Sequence, residues 1–592
     1  MILKALYDYY HRSGTLAPQG MEYKEIAFLI VINREGKFIR IEDRRIDKKI
    51  SCKFLVVKGI RSGSSPKPYI FWDNVEYMLN YTNSHAALSD STQTSDKTEK
   101  DQEVISKAQQ KHDALKAKYK LIAEHYPNNY QFRAVTLFFD QAELVNVYQD
   151  PLWIAIANKP TVNISFLIEG ELFIVAEHED LRTLELDVDE DNKKTASRDS
   201  ICLITGNKSI VAESTTPTGI PGGQATARLV AFQVNSGYDS YGKSKGFNAS
   251  ISKEAEACYT TALNKLLAKD SRNKFFIGSR TFLFWASSSS QVAMDVEDSI
   301  FTLFGLKTES DDNPNRGVEQ AEKLFKAIYS GALRCLSDDK FYFLGLAPNS
   351  ARIAVTYWIE APIKEFANLI LKHFDDFEIA DTRKEKRPYK GLYQILSAVT
   401  LNGKASDCQP NLPENIIKSI LQGTPYSYAL FSATMSRIRA EQTMTITRAA
   451  IIKAYLNRLI NNNKKITVKM DKENTNQGYL CGRLFATLEY VQERSGVNTI
   501  RSKFMNAASA TPATVFANLL NLSVYHSEKL DKGSQIFFEN IKTEIIAAIS
   551  PDGFPAHLDL QDQGRFMVGY YHQRSIFYSK SESKKEDSNS EE

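Results

Sequence analysis

The sequence predicts an α+β protein: a mixed α/β N-terminal region with mostly antiparallel sheet, followed by an all-α C-terminal helical bundle. Three observations carry this. Short apolar runs between charged turns (IAFLIVI, KFIRI, KFLVV) fill residues 24–58 and similar runs recur to about residue 360, the rhythm of adjacent strands. After about Ala361 the apolar residues repeat at helical spacing with few strand signals between. At 592 residues, the chain is too long for a single core.

The elements follow in order. MILKALYDYYHRSG reads as a short amphipathic helix. The strands of 24–58 end at the loop Gly63-Ser-Ser-Pro-Lys-Pro. In Tyr69–Tyr81, Asp73 or Asn74 is placed to cap a helix. Residues 83–103 are Ser, Thr, Asp and Lys with little apolar content, and are expected to be a mobile loop before a helix from about Gln102 to His125. RAVTLFFD, TVNISFLIEG, ELFIVAE and ICLITG read as strands, as does LVAFQV at 229–234. A helix signal starts near Ser250 or Ser252, and RTFLFWAS, KFYFLGLAP and RIAVTYWIEA complete the strands. Region 1–360 is therefore mixed, 361–469 is a helical domain, 470–578 is a C-terminal helical bundle, and the Ser/Lys/Glu-rich 579–592 is an expected disordered tail.

Composition narrows the class. Hydrophobic content of 43% and charged content of 24% are those of a globular chain, and a formal charge of +3 announces no polyanion partner. The distribution says more. Lys37–Lys67 holds ten Lys/Arg against three acids, and Phe431–Lys503 holds thirteen against five. Either excess suits a polyanion-facing edge or groove, and either also suits a solvated face. Cys52, Cys202, Cys258, Cys335, Cys408 and Cys481 are far apart with no C-x-x-C pair, which argues against a structural zinc site. With no signal peptide and no apolar run of eighteen residues, a reducing cytoplasm is expected.

No catalytic constellation stands out. The nine histidines form no H-E-x-x-H; His125 and His178 lie in polar ground, and His373 ends a helix. Asp187-x-Asp189-x-Asp191 lacks the glycine and the twelfth-position Glu of a calcium loop. Gly237–Ser244 satisfies G-x-x-x-x-G-K-S, so a nucleotide-binding P-loop is the alternative function. Its Lys is followed by KGFN, loop chemistry where a helix should begin, and the magnesium carboxylate candidate, Asp140, comes earlier in the chain. No cofactor and no metal are expected.

The richest segment is GIPGGQATARLVAFQVNSGYDSYGKSKGFN, Gly219–Asn248. Its loop from Asn235 to Asn248 holds three glycines, two tyrosines, two lysines and two asparagines, which lets backbone, rings, amides and cations approach one partner. With MILKALYDYYHR, FWDNVEYML, YTTALNKLL, FLFWA, SARIAVTYW and LCGRLFATLEYVQ…FMVGYYHQR, this order resembles the large subunit of the type I-C (Dvulg subtype) CRISPR Cascade, the Cas-eight-c family, over nearly the whole chain.

The resemblance implies a non-enzymatic DNA- and RNA-associated subunit in antiviral defence. It would sit beside Cas-five and Cas-seven-type subunits on crRNA, recognise the protospacer-adjacent motif of target DNA, help open an R-loop, hold the displaced strand and dock the Cas-three nuclease-helicase. It also implies a separately translated small subunit, for which Met470 is a plausible start.

On that footing motif recognition falls to Asn74, Gly222, Gly223, Gln224 and Asn248, with Lys208 and Lys243 nearby. A helix cap is the plainer role for Asn74, and a loop hydrogen bond for Gln224. Tyr238 and Tyr241 are placed to wedge or stack, or to pack on the sheet. Arg437, Arg439, Arg448, Lys453 and Arg458 are the displaced-strand candidates, with a solvated helix face as the alternative.

Overall fold

The computed structural model describes the chain except residues 15, 19, 48–49, 60–64, 89–94, 183–198, 234–236, 238, 240, 305–315, 335–338, 383–390, 460–464 and 590–592. Tyr238, Cys335 and the stretch Asp187–Asp191 lie outside the described residues. The strands are β1 Met21–Glu25, β2 Phe28–Ile32, β3 Phe38–Asp43, β4 Lys53–Val57, β5 Trp72–Asn74, β6 Asn163–Ile168, β7 Asp199–Ile201, β8 Lys208–Ile210, β9 Lys274–Ile277, β10 Arg280–Ala286, β11 Lys340–Asn349 and β12 Arg352–Pro362. The chain divides into two compact units: 14–213 with 239–261, and 1–13 with 214–238 and 262–592.

The first unit is built on the sheet β3-β2-β6-β5. β2 (FLIVI) is buried along its length, as a central strand should be. It pairs antiparallel with β3 and parallel with β6, and the helices between the parallel strands supply the long crossover that such pairing requires. β1–β4 and β7–β8 form two-stranded ribbons. RAVTLFFD is not a strand: Tyr130–Asp140 is a helix, capped by the Asn129 side chain, which accepts from Gln131 N (3.0 Å) and Phe132 N (3.3 Å). ELFIVAE is also not a strand, contributing a short 3-10 turn at Val175–Glu177. Of ICLITG, only Ile201 belongs to a strand. The expected loop 83–103 instead carries helices Asn83–Leu88 and Ser95–His125. No Gly or Pro occurs from Ser95 to Glu103, so nothing in that polar run breaks a helix.

The second unit carries the antiparallel sheet β12-β11-β10-β9 and the helices that follow it. The switch to helical spacing at 361 does not separate two cores. Phe282 and Phe343 of the sheet share one apolar cluster with Phe366, Leu396, Leu484 and Phe566. Helix Gln477–Arg494 is buried from Gly478 to Gln492, with helices Ile500–Ala510, Pro512–Ser527, Lys532–Ala547 and Leu560–Asn589 packed around it. The last helix runs on to Asn589, past residue 578, where disorder is expected; no Gly or Pro interrupts it there.

Candidate nucleic-acid interface

In the first unit, the end of the glycine-rich loop has a fixed frame. Asp239 Oδ1 accepts from Asn248 Nδ2 (3.1 Å) and from Lys245 N (3.3 Å). Lys245 Nζ pairs with Glu213 at 3.2 Å, and Gly246 N donates to the Glu213 carbonyl at 3.0 Å. Gly246 is buried against the Ala212 carbonyl, where a Cβ would overlap it, so only glycine fits. The frame presents Tyr241, 99% exposed on a left-handed backbone (φ 53°), and the exposed Lys243. Tyr241 therefore does not pack on a sheet. A ring and a cation offered together suit a base and its phosphate.

Asn248 is not aimed outward as expected. Its amide donates to Asp239 and to the Lys245 carbonyl, so it holds the loop. Lys208 is exposed on β8, opposite Ile201 of β7. Asn74 takes the capping role: its Oδ1 accepts from Tyr77 N at 3.3 Å at the start of helix Val75–Leu79.

The P-loop alternative loses both of its flanks. Leu229–Gln233 forms no strand, and Lys245–Asn248 is a single 3-10 turn. Asp140 ends a helix rather than a buried strand.

In the second unit, Gly222 and Gly223 make a turn seated by Pro348 and Ile220. Gly222 has φ 76°, and a Cβ on Gly223 would press on Ile220 Cγ2 at 2.6 Å. Asn264 anchors the approach, accepting from Gly219 N (3.3 Å) and donating to the Pro217 carbonyl (3.4 Å). Gln224 follows the turn; its carbonyl accepts from Ala227 N at 2.9 Å while the residue stays exposed.

The family profile described as CRISPR-associated protein (Cas_Csd1) matches residues 6–578. The chain belongs to this CRISPR-associated family. No curated protein matches it.

The basic candidates of this family member are mostly interior. Arg448 is 4% exposed; its Nε donates to the Ala398 carbonyl (3.0 Å), its Nη1 to the Thr443 carbonyl (2.8 Å), and it pairs with Glu441. Lys453 is also 4% exposed and donates to the carbonyls of Asp375 and Asp376, both at 3.1 Å; burial lowers its pKa. The Arg458 side chain is buried, pairs with Asp376 at 2.5 Å and stacks over Tyr426 at 4.4 Å. Burial raises the Asp376 pKa against the pull of Arg458. These three cations stitch helices together and are not a solvated face. Arg437 pairs with Glu441 one turn along, and Arg439, bonded to Gln563, stays exposed.

The terminal GYYHQR is likewise interior. Tyr570 donates to Glu489 (2.6 Å), as does Arg574 (2.7 Å), and Arg501 adds a second cationic contact at 3.2 Å. Gln573 accepts from Arg483 at 3.1 Å, and His572 Nδ1 meets the Tyr479 hydroxyl at 2.9 Å. Burial pushes the His572 pKa down to about 4. Sequence reasoning did not assign these roles, although polar residues recurring inside apolar helices mark buried networks.

Proposed function

We propose that this chain is the large, non-catalytic subunit of a crRNA-guided type I-C surveillance complex, built with Cas-five and Cas-seven-type subunits. It reads the protospacer-adjacent motif on duplex DNA, promotes R-loop opening, holds the displaced strand and docks the Cas-three nuclease-helicase. The membership in a CRISPR-associated family supports the setting. The observation that carries DNA contact is the braced loop that holds Tyr241 and Lys243 out to solvent. Gln224, Lys208 and Arg439 are further exposed polar groups for this task. Among the described residues, no helix is long and apolar enough to cross a membrane.

Met470 fits the start of a separately translated small subunit. Residues from there on include Gln477–Arg494 together with every helix packed around it in the C-terminal bundle.

The test is a gel shift of the assembled complex on motif-bearing duplex, comparing the unaltered chain with Tyr241→Ala and Lys243→Ala. Each variant is expected to weaken motif-dependent binding about tenfold while the complex still assembles. Unchanged affinity removes the loop from the DNA contact. ATP turnover or DNA cleavage by the purified chain alone would refute the non-catalytic reading.

A further inference from the structure

β2 and β6 run parallel, so their C-terminal ends lie side by side; Glu169 N donates to the Ile32 carbonyl at 2.9 Å. Past β6 the chain turns at Gly170 (φ 84°), with Glu171 N donating to the Ile168 carbonyl at 3.0 Å. The next two residues stand in solvent: Leu172 is 92% exposed and Phe173 68%. The chain then re-enters the core at once, with Ile174, Val175 and Ala176 buried.

This tip is braced by three side chains. The Tyr130 hydroxyl donates to Glu171, and the Arg34 guanidinium lies 4.7 Å over the Tyr130 ring and 4.0 Å from Glu171. Isolated exposed apolar residues are ordinary, but two large neighbours held out by a three-residue brace gain nothing inside the chain.

The charge around the tip selects the occupant. Glu169 and Glu171 flank the Gly170 turn against one cation, Arg34, and the chain on to Asp180 adds Glu177, Glu179 and Asp180 with no lysine or arginine, so the excess is acidic. Such a segment repels phosphate and attracts a basic surface. We propose that Leu172 and Phe173 plug into an apolar pocket, rimmed by lysine or arginine, on another protein subunit of the complex. A subunit that carries crRNA offers basic surface of this kind. The proposal rests on the complex-subunit reading above.

The test uses the full chain co-expressed with its co-encoded subunits and crRNA, with p-benzoylphenylalanine at position 173. Irradiation of the assembled complex is expected to join this chain to a second protein, at a peptide mapped by mass spectrometry. Leu172→Ser with Phe173→Ser should weaken association with the crRNA-loaded remainder about tenfold without changing the melting temperature. Glu169→Lys should weaken it too and reduce its salt dependence. Crosslinks to DNA or RNA, or full assembly by the double variant, would overturn the plug. If the unaltered chain itself does not assemble, the complex-subunit reading fails, and the plug with it.

Discussion

Gly482 lies against Phe566: a Cβ on Gly482 would overlap the Phe566 carbonyl oxygen. One turn earlier, Gly478 faces the Asp562 carbonyl, and from the other helix Gly569 faces the Tyr479 carbonyl. Helices Gln477–Arg494 and Leu560–Asn589 therefore cross at backbone contact. That closeness lets Arg483, Glu489 and Tyr479 reach Gln573, Tyr570, Arg574 and His572.

Gly482→Ala tests the crossing. In an open helix this change would stabilise by about 1 kcal/mol, because alanine is the better helix former. Here the helices must part, so a net loss of at least about 2 kcal/mol is expected. Urea denaturation of the full chain measures it, and a stabilised variant would show that the helices are not in backbone contact.

The strands β10–β12 are legible in the sequence because their runs are rich in aromatic and β-branched residues, and the structure keeps RTFLFWA, KFYFLGLAPN and RIAVTYWIEAP as strands, while β9, the short KFFI, is not read as one. RAVTLFFD is not legible by its apolar run alone, since a buried helix and a buried strand look alike over eight residues. The distinguishing signal is the Asn129 cap before it. The basic candidates were open to a similar check. ITRAAIIKAYLN is apolar on every side, and a helix of that kind is interior, so Arg448 and Lys453 go inside with it. Which parts of the glycine-rich loop face outward depends on Asp239 and Glu213, partners up to 32 residues away from what they hold. No local pattern reveals them.

Arg458→Met separates scaffold from DNA contact. Removing this cation leaves Asp376 buried without its 2.5 Å partner, at a cost of about 3–5 kcal/mol. Lowered melting temperature is expected, and at a temperature where the variant is folded its DNA affinity should keep the unaltered salt slope. A flattened slope would return Arg458 to the displaced strand.

His572 makes stability depend on acidity. Burial holds its native pKa at about 4, against about 6.5 for an unfolded histidine. Between these values the unfolded chain binds the proton and the native chain does not. The histidine's contribution is therefore complete above about pH 6.5 and is lost as pH falls towards 4, a change of about 3 kcal/mol. His572→Gln should flatten the stability profile over this window. Urea midpoints at steps from pH 7 to pH 4 measure it, and an identical slope in the variant would place the proton elsewhere.

Gly246→Ala asks whether the loop acts through its frame. The new methyl would strike the Ala212 carbonyl, forcing Lys245–Asn248 away from Glu213 and releasing the Asp239 contacts. Tyr241 and Lys243 keep their chemistry in this variant but lose their fixed position. Preorganisation is what a docking loop contributes beyond its contacts, so motif-dependent affinity should fall about as far as in Lys243→Ala. Asn74→Ala provides the contrast: its cap is worth about 1 kcal/mol of stability, and motif discrimination should be untouched. Gel shifts on motif-bearing and motif-free duplexes, run beside thermal melts, read both. A Gly246→Ala complex that discriminates as well as the unaltered one would show that the frame around Asp239 is dispensable for the contact.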